Sequence, residues 1–150
     1  MQRQDFDALA KQGYNRVALV SQALADLETP LSLYLKLTQE NGTKNTFLLE
    51  SVVGGERFGR YSIIGLPSKT LIKVTGGPNN TITQVITDGQ VTETDHGNPL
   101  DFIASYHARF KVFLQDGLPR FCGGLAGYFG YDTIRYIEPR LAKNSLPDEI

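Results

Sequence analysis

The stretch Leu71-Ile72-Lys73-Val74-Thr75, Gly76-Gly77-Pro78-Asn79-Asn80, Thr81-Ile82-Thr83-Gln84-Val85-Ile86-Thr87, Asp88-Gly89, Gln90-Val91-Thr92-Glu93-Thr94 reads as a three-strand meander over about residues 69–94. Two turn signals separate three β-rich runs. Asp-Gly is a two-residue hairpin signal, because both positions tolerate positive φ. Val and Ile alternate with Thr, Gln and Lys, a pattern that suits an antiparallel sheet with one wet face.

Helical patterns flank this sheet. Phe6, Leu9 and Ala10 fall at i, i+3, i+4 spacing within residues 1–12. Residues 14–20 predict a short strand. Thr29-Pro30 pairs a capping hydroxyl with a proline suited to the first helical position, and Asn41-Gly42 stops the helix. Within it Leu31, Tyr34, Leu35 and Thr38 form one stripe. Leu33 and Leu37 widen that stripe, which predicts packing on two sides. Residues 45–51 and 61–67 predict two more strands around a glycine-punctuated loop. Asn98-Pro99 repeats the cap-plus-proline device before a helix with Phe102, Ile103, Tyr106 and Phe110 on one face. The order is mixed rather than βαβ, so the predicted class is α+β: an antiparallel sheet with packed helices.

Composition excludes several functions. The 150 residues carry 15 Lys+Arg against 16 Asp+Glu, a net charge of −1, so no basic face marks a nucleic-acid binder. No apolar run approaches the roughly 20 residues of a membrane helix, and residues 1–12 lack the apolar core of a secretory signal. A single cysteine, Cys122, excludes a disulfide framework. Its apolar surroundings predict a buried, inert thiol. The expected setting is a reducing, cytoplasmic one.

The segment Phe121-Cys122-Gly123-Gly124-Leu125-Ala126-Gly127-Tyr128-Phe129-Gly130-Tyr131-Asp132 is rich in glycine but contains neither GxGxxG nor Gly-Lys-Ser/Thr. It reads as a strand packed against another backbone, leading into a short helix closed by Pro139. His96 lies in a turn and His107 on a helix, and neither has a partner at metal-ligand spacing. No Gly-x-Ser-x-Gly elbow supports a hydrolase.

The most chemical stretch is Leu48-Leu49-Glu50-Ser51, followed by a loop with Arg57 and Arg60 and then Tyr61-Ser62. An amino-acid ligand needs such groups. Its ammonium requires a carboxylate, its carboxylate requires a cation or N–H donors, and its side chain requires an apolar slot. Taken by themselves, the same residues more often form a strand end with solvated charges.

These residues carry a resemblance. Phe47-Leu48-Leu49-Glu50-Ser51 followed by Gly59-Arg60-Tyr61-Ser62-Ile63-Ile64-Gly65 resembles the start of the anthranilate synthase large-subunit family. The helix beginning Thr29-Pro30-Leu31-Ser32-Leu33-Tyr34 is similar to the one before that motif. Gly123-Gly124-Leu125-Ala126-Gly127-Tyr128-Phe129-Gly130-Tyr131-Asp132-Thr133-Ile134-Arg135-Tyr136-Ile137-Glu138 resembles a second signature of the family, and Leu146-Pro147-Asp148 the stretch beyond it. The matches run in order over residues 14–150.

The resemblance implies that residues 1–150 are the N-terminal regulatory region of a larger, two-lobed chorismate-using lyase. That enzyme converts chorismate and ammonia to anthranilate and pyruvate, the first committed step of tryptophan biosynthesis. A glutamine amidotransferase partner supplies the ammonia. The resemblance also implies feedback inhibition by L-tryptophan, in a pocket to which Glu50 and Ser51 carry over, with Leu49 as their neighbour and Arg60 as the candidate base. The catalytic residues and the Mg²⁺-binding carboxylates of the family fall beyond position 150, so none is assigned to this chain. Two alternatives stand beside this reading: an aminodeoxychorismate synthase large subunit, and a stand-alone small-molecule-binding domain.

Overall fold

The computed structural model describes residues 2–50, 61–119 and 121–142. The chain divides into two compact units. The first holds Met1–Ser21, Ile72–Val85 and Val91–Ile150, and the second Gln22–Leu71 and Ile86–Gln90. The element order is α1 (Arg3–Lys11), β1 (Arg16–Val17), α2 (Pro30–Asn41), β2 (Phe47–Leu49), β3 (Ile63–Gly65), β4 (Thr70–Thr75), β5 (Ile82–Thr87), β6 (Gln90–Asp95), α3 (Pro99–Ala108), β7 (Val112–Phe113), a 3-10 helix (Tyr131–Tyr136) and α4 (Pro139–Ala142). The α+β class is as read.

The meander forms with strand order β4-β5-β6. Its hairpin turns on Asp88 at φ 51° and Gly89 at φ 82°. This pair of positive φ values makes a type I′ turn, whose twist matches that of paired strands. The turn sets the phase of β5. Thr81, Thr83 and Val85 are buried, while Ile82 is exposed. Two threonines therefore take inward positions where alternation alone pointed to Ile.

Thr83 is fully buried, and its Oγ1 has no hydrogen-bond partner among the described residues. A buried orphan hydroxyl costs its desolvation, whereas a methyl in the same place costs nothing comparable. Thr83→Val is therefore expected to leave stability unchanged or raise it by up to about 1 kcal/mol. A urea midpoint well below the parent's would show that the hydroxyl is satisfied in solution.

In the first unit, α3 starts where Asn98 Oδ1 accepts from Leu100 N–H at 2.9 Å, with Pro99 at the first turn. Phe102 is buried. The Phe102 and Tyr106 rings stack at 6.1 Å, and Tyr106 meets Phe110 edge-on at 5.4 Å. Arg109 ends the helix and folds back over the Tyr106 ring, 4.9 Å from its centroid. Both its terminal nitrogens donate to Glu93 on β6 at 2.7 Å. That bidentate geometry is the strong form of an ion pair.

The Arg109 hydrogen bonds hold the Glu93 carboxyl below its ordinary pKa of 4.5. The unfolded chain then binds this proton more readily than the folded one. The stabilisation is present above about pH 4.5 and is lost as pH falls through the lower folded value. In urea titrations between pH 6 and 3, Glu93→Gln is expected to flatten that part of the acid limb. An acid limb identical to the parent's would remove the role given to this pair.

The meander is not the whole of the β-structure. β1 pairs in parallel with β7, with Arg16 opposite Val112 and Val17 opposite Phe113. Asn15 makes this junction. Its Nδ2 donates to the Arg109 carbonyl at 2.7 Å, and its Oδ1 accepts from Lys111 N–H at 2.8 Å. Its own backbone N–H donates to the Lys111 carbonyl at 2.9 Å. Tyr14 packs edge-on against Phe113 at 5.3 Å, and the Arg16 guanidinium lies 4.8 Å from the Phe110 centroid.

In the second unit, α2 spans the residues its caps predict. Ser32 N–H donates to Thr29 Oγ1 at 3.0 Å, and Thr29 N–H to Ser32 Oγ at 2.9 Å. Ser32 Oγ donates onward to Glu28, which also pairs with Lys36. Gly42 caps the other end at φ 85°. Helix α2 packs against β2 and β3. Thr38 is buried and Tyr34 and Leu37 are half-buried, while Leu31 and Leu35 are exposed. Leu33 is half-buried like Leu37, so both residues expected to widen the stripe are partly covered. The wide stripe has a covered edge and an open edge.

The Gly-rich segment departs furthest from expectation. Residues 121–130 pair with no strand among the described residues, and all are exposed. A strand needs a neighbour to hydrogen-bond, and none lies alongside among the described residues. Gly124, Gly127 and Gly130 have open space where a Cβ would stand, so these glycines make no close backbone approach here. Tyr128 and Tyr131 are 91% and 95% exposed. Cys122 is exposed, not buried, because the packed strand expected to contain it does not form. Pro139 opens α4 rather than closing a helix, in keeping with its missing N–H.

Candidate functional site

The candidate site begins at the ribbon β2·β3. The strands run antiparallel, with Phe47 opposite Gly65, Leu48 opposite Ile64 and Leu49 opposite Ile63. Gly65 is the tight point. A Cβ built there would stand 2.5 Å from Phe47 Cζ and closer still to two other ring atoms. The Phe47 ring lies across the bare backbone of Gly65, which holds the two strands close. Behind them, the Tyr34 hydroxyl on α2 shares a 2.8 Å hydrogen bond with Thr46 Oγ1.

This register decides what stands at the open end. Leu49 pairs with Ile63, so residues just after Leu49 and just before Ile63 leave the ribbon together. Glu50, Tyr61 and Ser62 are exposed there, and Leu49 is 55% exposed. Glu50 makes no hydrogen bond or ion pair among the described residues. This end of the ribbon carries an exposed carboxylate, an exposed aliphatic side chain and an exposed tyrosine. It can accept N–H donors and cover a small apolar group.

Of the four residues the resemblance singles out, Leu49 and Glu50 are adjacent at this end. Ser51 and Arg60 lie outside the described residues, as does Arg57. The structure adds Phe47 over Gly65, a contact that local patterns do not signal.

Other chemistry is sparse. His96 Nδ1 lies 3.2 Å from the Thr81 carbonyl, a structural tie, and His107 is exposed. Among the described residues no Ser, Thr or Cys side chain hydrogen-bonds a histidine. No three His, Cys, Asp or Glu side chains converge to hold a metal among those residues. A shallow groove lined by Asp5, Ala8, Leu9, Phe113 and Gln115 carries none of the residues singled out above. No helix among the described residues is long and apolar enough to cross a membrane.

Comparison with known proteins decides the relationship. Anthranilate synthase component 1 of Pseudomonas putida is 49% identical over 151 residues, covering 100% of this chain. That of Neisseria meningitidis serogroup B is 54% identical over 136 residues, covering 91%. This chain is a homologue of anthranilate synthase component 1. Even the protein so named from Aquifex aeolicus is 40% identical over 93% of the chain. The chain spans only 29% of the Pseudomonas putida protein's length and 26% of the Neisseria one, and it matches their N-terminal region. No family model matches the chain, and no solved structure is significantly similar to it.

Proposed function

We propose that this chain forms the N-terminal, regulatory part of an anthranilate synthase component 1, a lyase that makes anthranilate and pyruvate from chorismate and ammonia. The observation that carries the reading is identity of about half the residues over the whole chain with proteins of that name. A glutamine amidotransferase component supplies the ammonia, and the enzyme works in the cytoplasm. Mg²⁺ and the reacting groups belong to the part of the relatives that this chain does not span, and no catalytic residue is assigned here. The names of the relatives favour anthranilate over aminodeoxychorismate as the product.

The regulatory ligand we propose is L-tryptophan, at the open end of β2·β3. Glu50 is exposed and has no partner among the described residues, and it is assigned the ligand's ammonium group. A charge-assisted hydrogen bond of that kind is about twice as strong as a neutral one. Leu49 offers aliphatic surface to the indole. Ser51 and Arg60 are assigned the ligand's carboxylate side. Inhibition then requires that tryptophan bind one state of the enzyme better than another. By linkage, chorismate must weaken tryptophan by the factor that tryptophan weakens chorismate.

The test grafts this chain into a complete relative. Residues 1–150 replace the matched region of the Pseudomonas putida protein, and anthranilate is followed by its fluorescence with chorismate and an ammonium salt. The chimera is expected to turn over and to be inhibited by tryptophan. Ser51→Leu in the chimera is expected to raise the inhibitory tryptophan concentration at least about tenfold while kcat stays within about twofold, within the usual range of allosteric coupling. Formation of aminodeoxychorismate instead would overturn the enzyme assignment. A Ser51→Leu chimera as tryptophan-sensitive as its parent would overturn the site.

A further inference from the structure

We draw no further inference here: the strongest candidate, the uncharged aromatic segment over residues 121–131 with its exposed Tyr128 and Tyr131, is an unpartnered apolar surface, and nothing in the structure shows what covers it.

Discussion

Gly65→Ala is expected to destabilise the second unit by about 2–3 kcal/mol, the upper range for overpacking a close contact. The added methyl would occupy the space of the Phe47 ring, 2.5 Å from Cζ. The strands cannot simply part to make room, because Phe47 and Gly65 are directly opposed in the register. Either the ring leaves its rotamer or the β2·β3 pair opens. Urea denaturation measures the cost, and a second substitution identifies its origin. In a Phe47→Leu background the same Gly65→Ala change is expected to cost under about 1 kcal/mol, since contacting residues couple. Equal penalties in both backgrounds would mean that the ring does not lie over Gly65. The end of the ribbon also carries Leu49 and Glu50. In the grafted enzyme, Gly65→Ala is therefore expected to weaken tryptophan inhibition as well as stability.

Asn15→Ala is the second large effect, with an expected loss of about 1–3 kcal/mol from the first unit. The side chain makes two hydrogen bonds to backbone, to the Arg109 carbonyl and from Lys111 N–H. Each is worth about 0.5–1.5 kcal/mol net. Alanine leaves the backbone pairing of β1 without its side-chain anchor. Asn15→Asp separates the two bonds. It keeps an acceptor for Lys111 N–H, removes the donor to Arg109, and sets a carboxylate against a carbonyl. Its stability is expected to fall below the parent's, and amide exchange at Arg16 and Val17 is expected to quicken in both variants. If neither stability nor exchange changed, Asn15 would be a bystander and β1 would be held by its backbone alone.

What local sequence specifies, the structure contains. Helix α2 begins and ends where Thr29-Pro30 and Gly42 direct, and α3 begins at Asn98-Pro99, but α3 stops at Ala108, short of the Phe110 expected on its face. A cap is a contact between residues two or three apart, so its reading needs no knowledge of the rest of the chain. The Asp88-Gly89 turn is legible for the same reason. The phase of β5 was harder to read, because Ile82 and Thr83 have similar β-propensity and the turn geometry selects between their faces. Parallel pairing of β1 with β7 has no local signal at all. Residues 121–130 have the composition of a strand but no strand beside them among the described residues, and composition cannot supply the neighbour. At the candidate site, the order of β2 residues placed Leu49 and Glu50 at a strand end. The Phe47 ring over Gly65 depends on register, which no single strand encodes.

The junction at Asn15 also orders events in time. Its partners lie 94 and 96 residues further along the chain. A contact across so long a loop carries a large closure entropy, whereas the Asp88-Gly89 hairpin closes over two residues. The meander and α3 can form from neighbouring sequence while the chain is still being made. β1 cannot pair until Val112 and Phe113 have left the ribosome. The first strand synthesised is thus among the last to dock, and until then Tyr14 and Val17 remain open to other contacts.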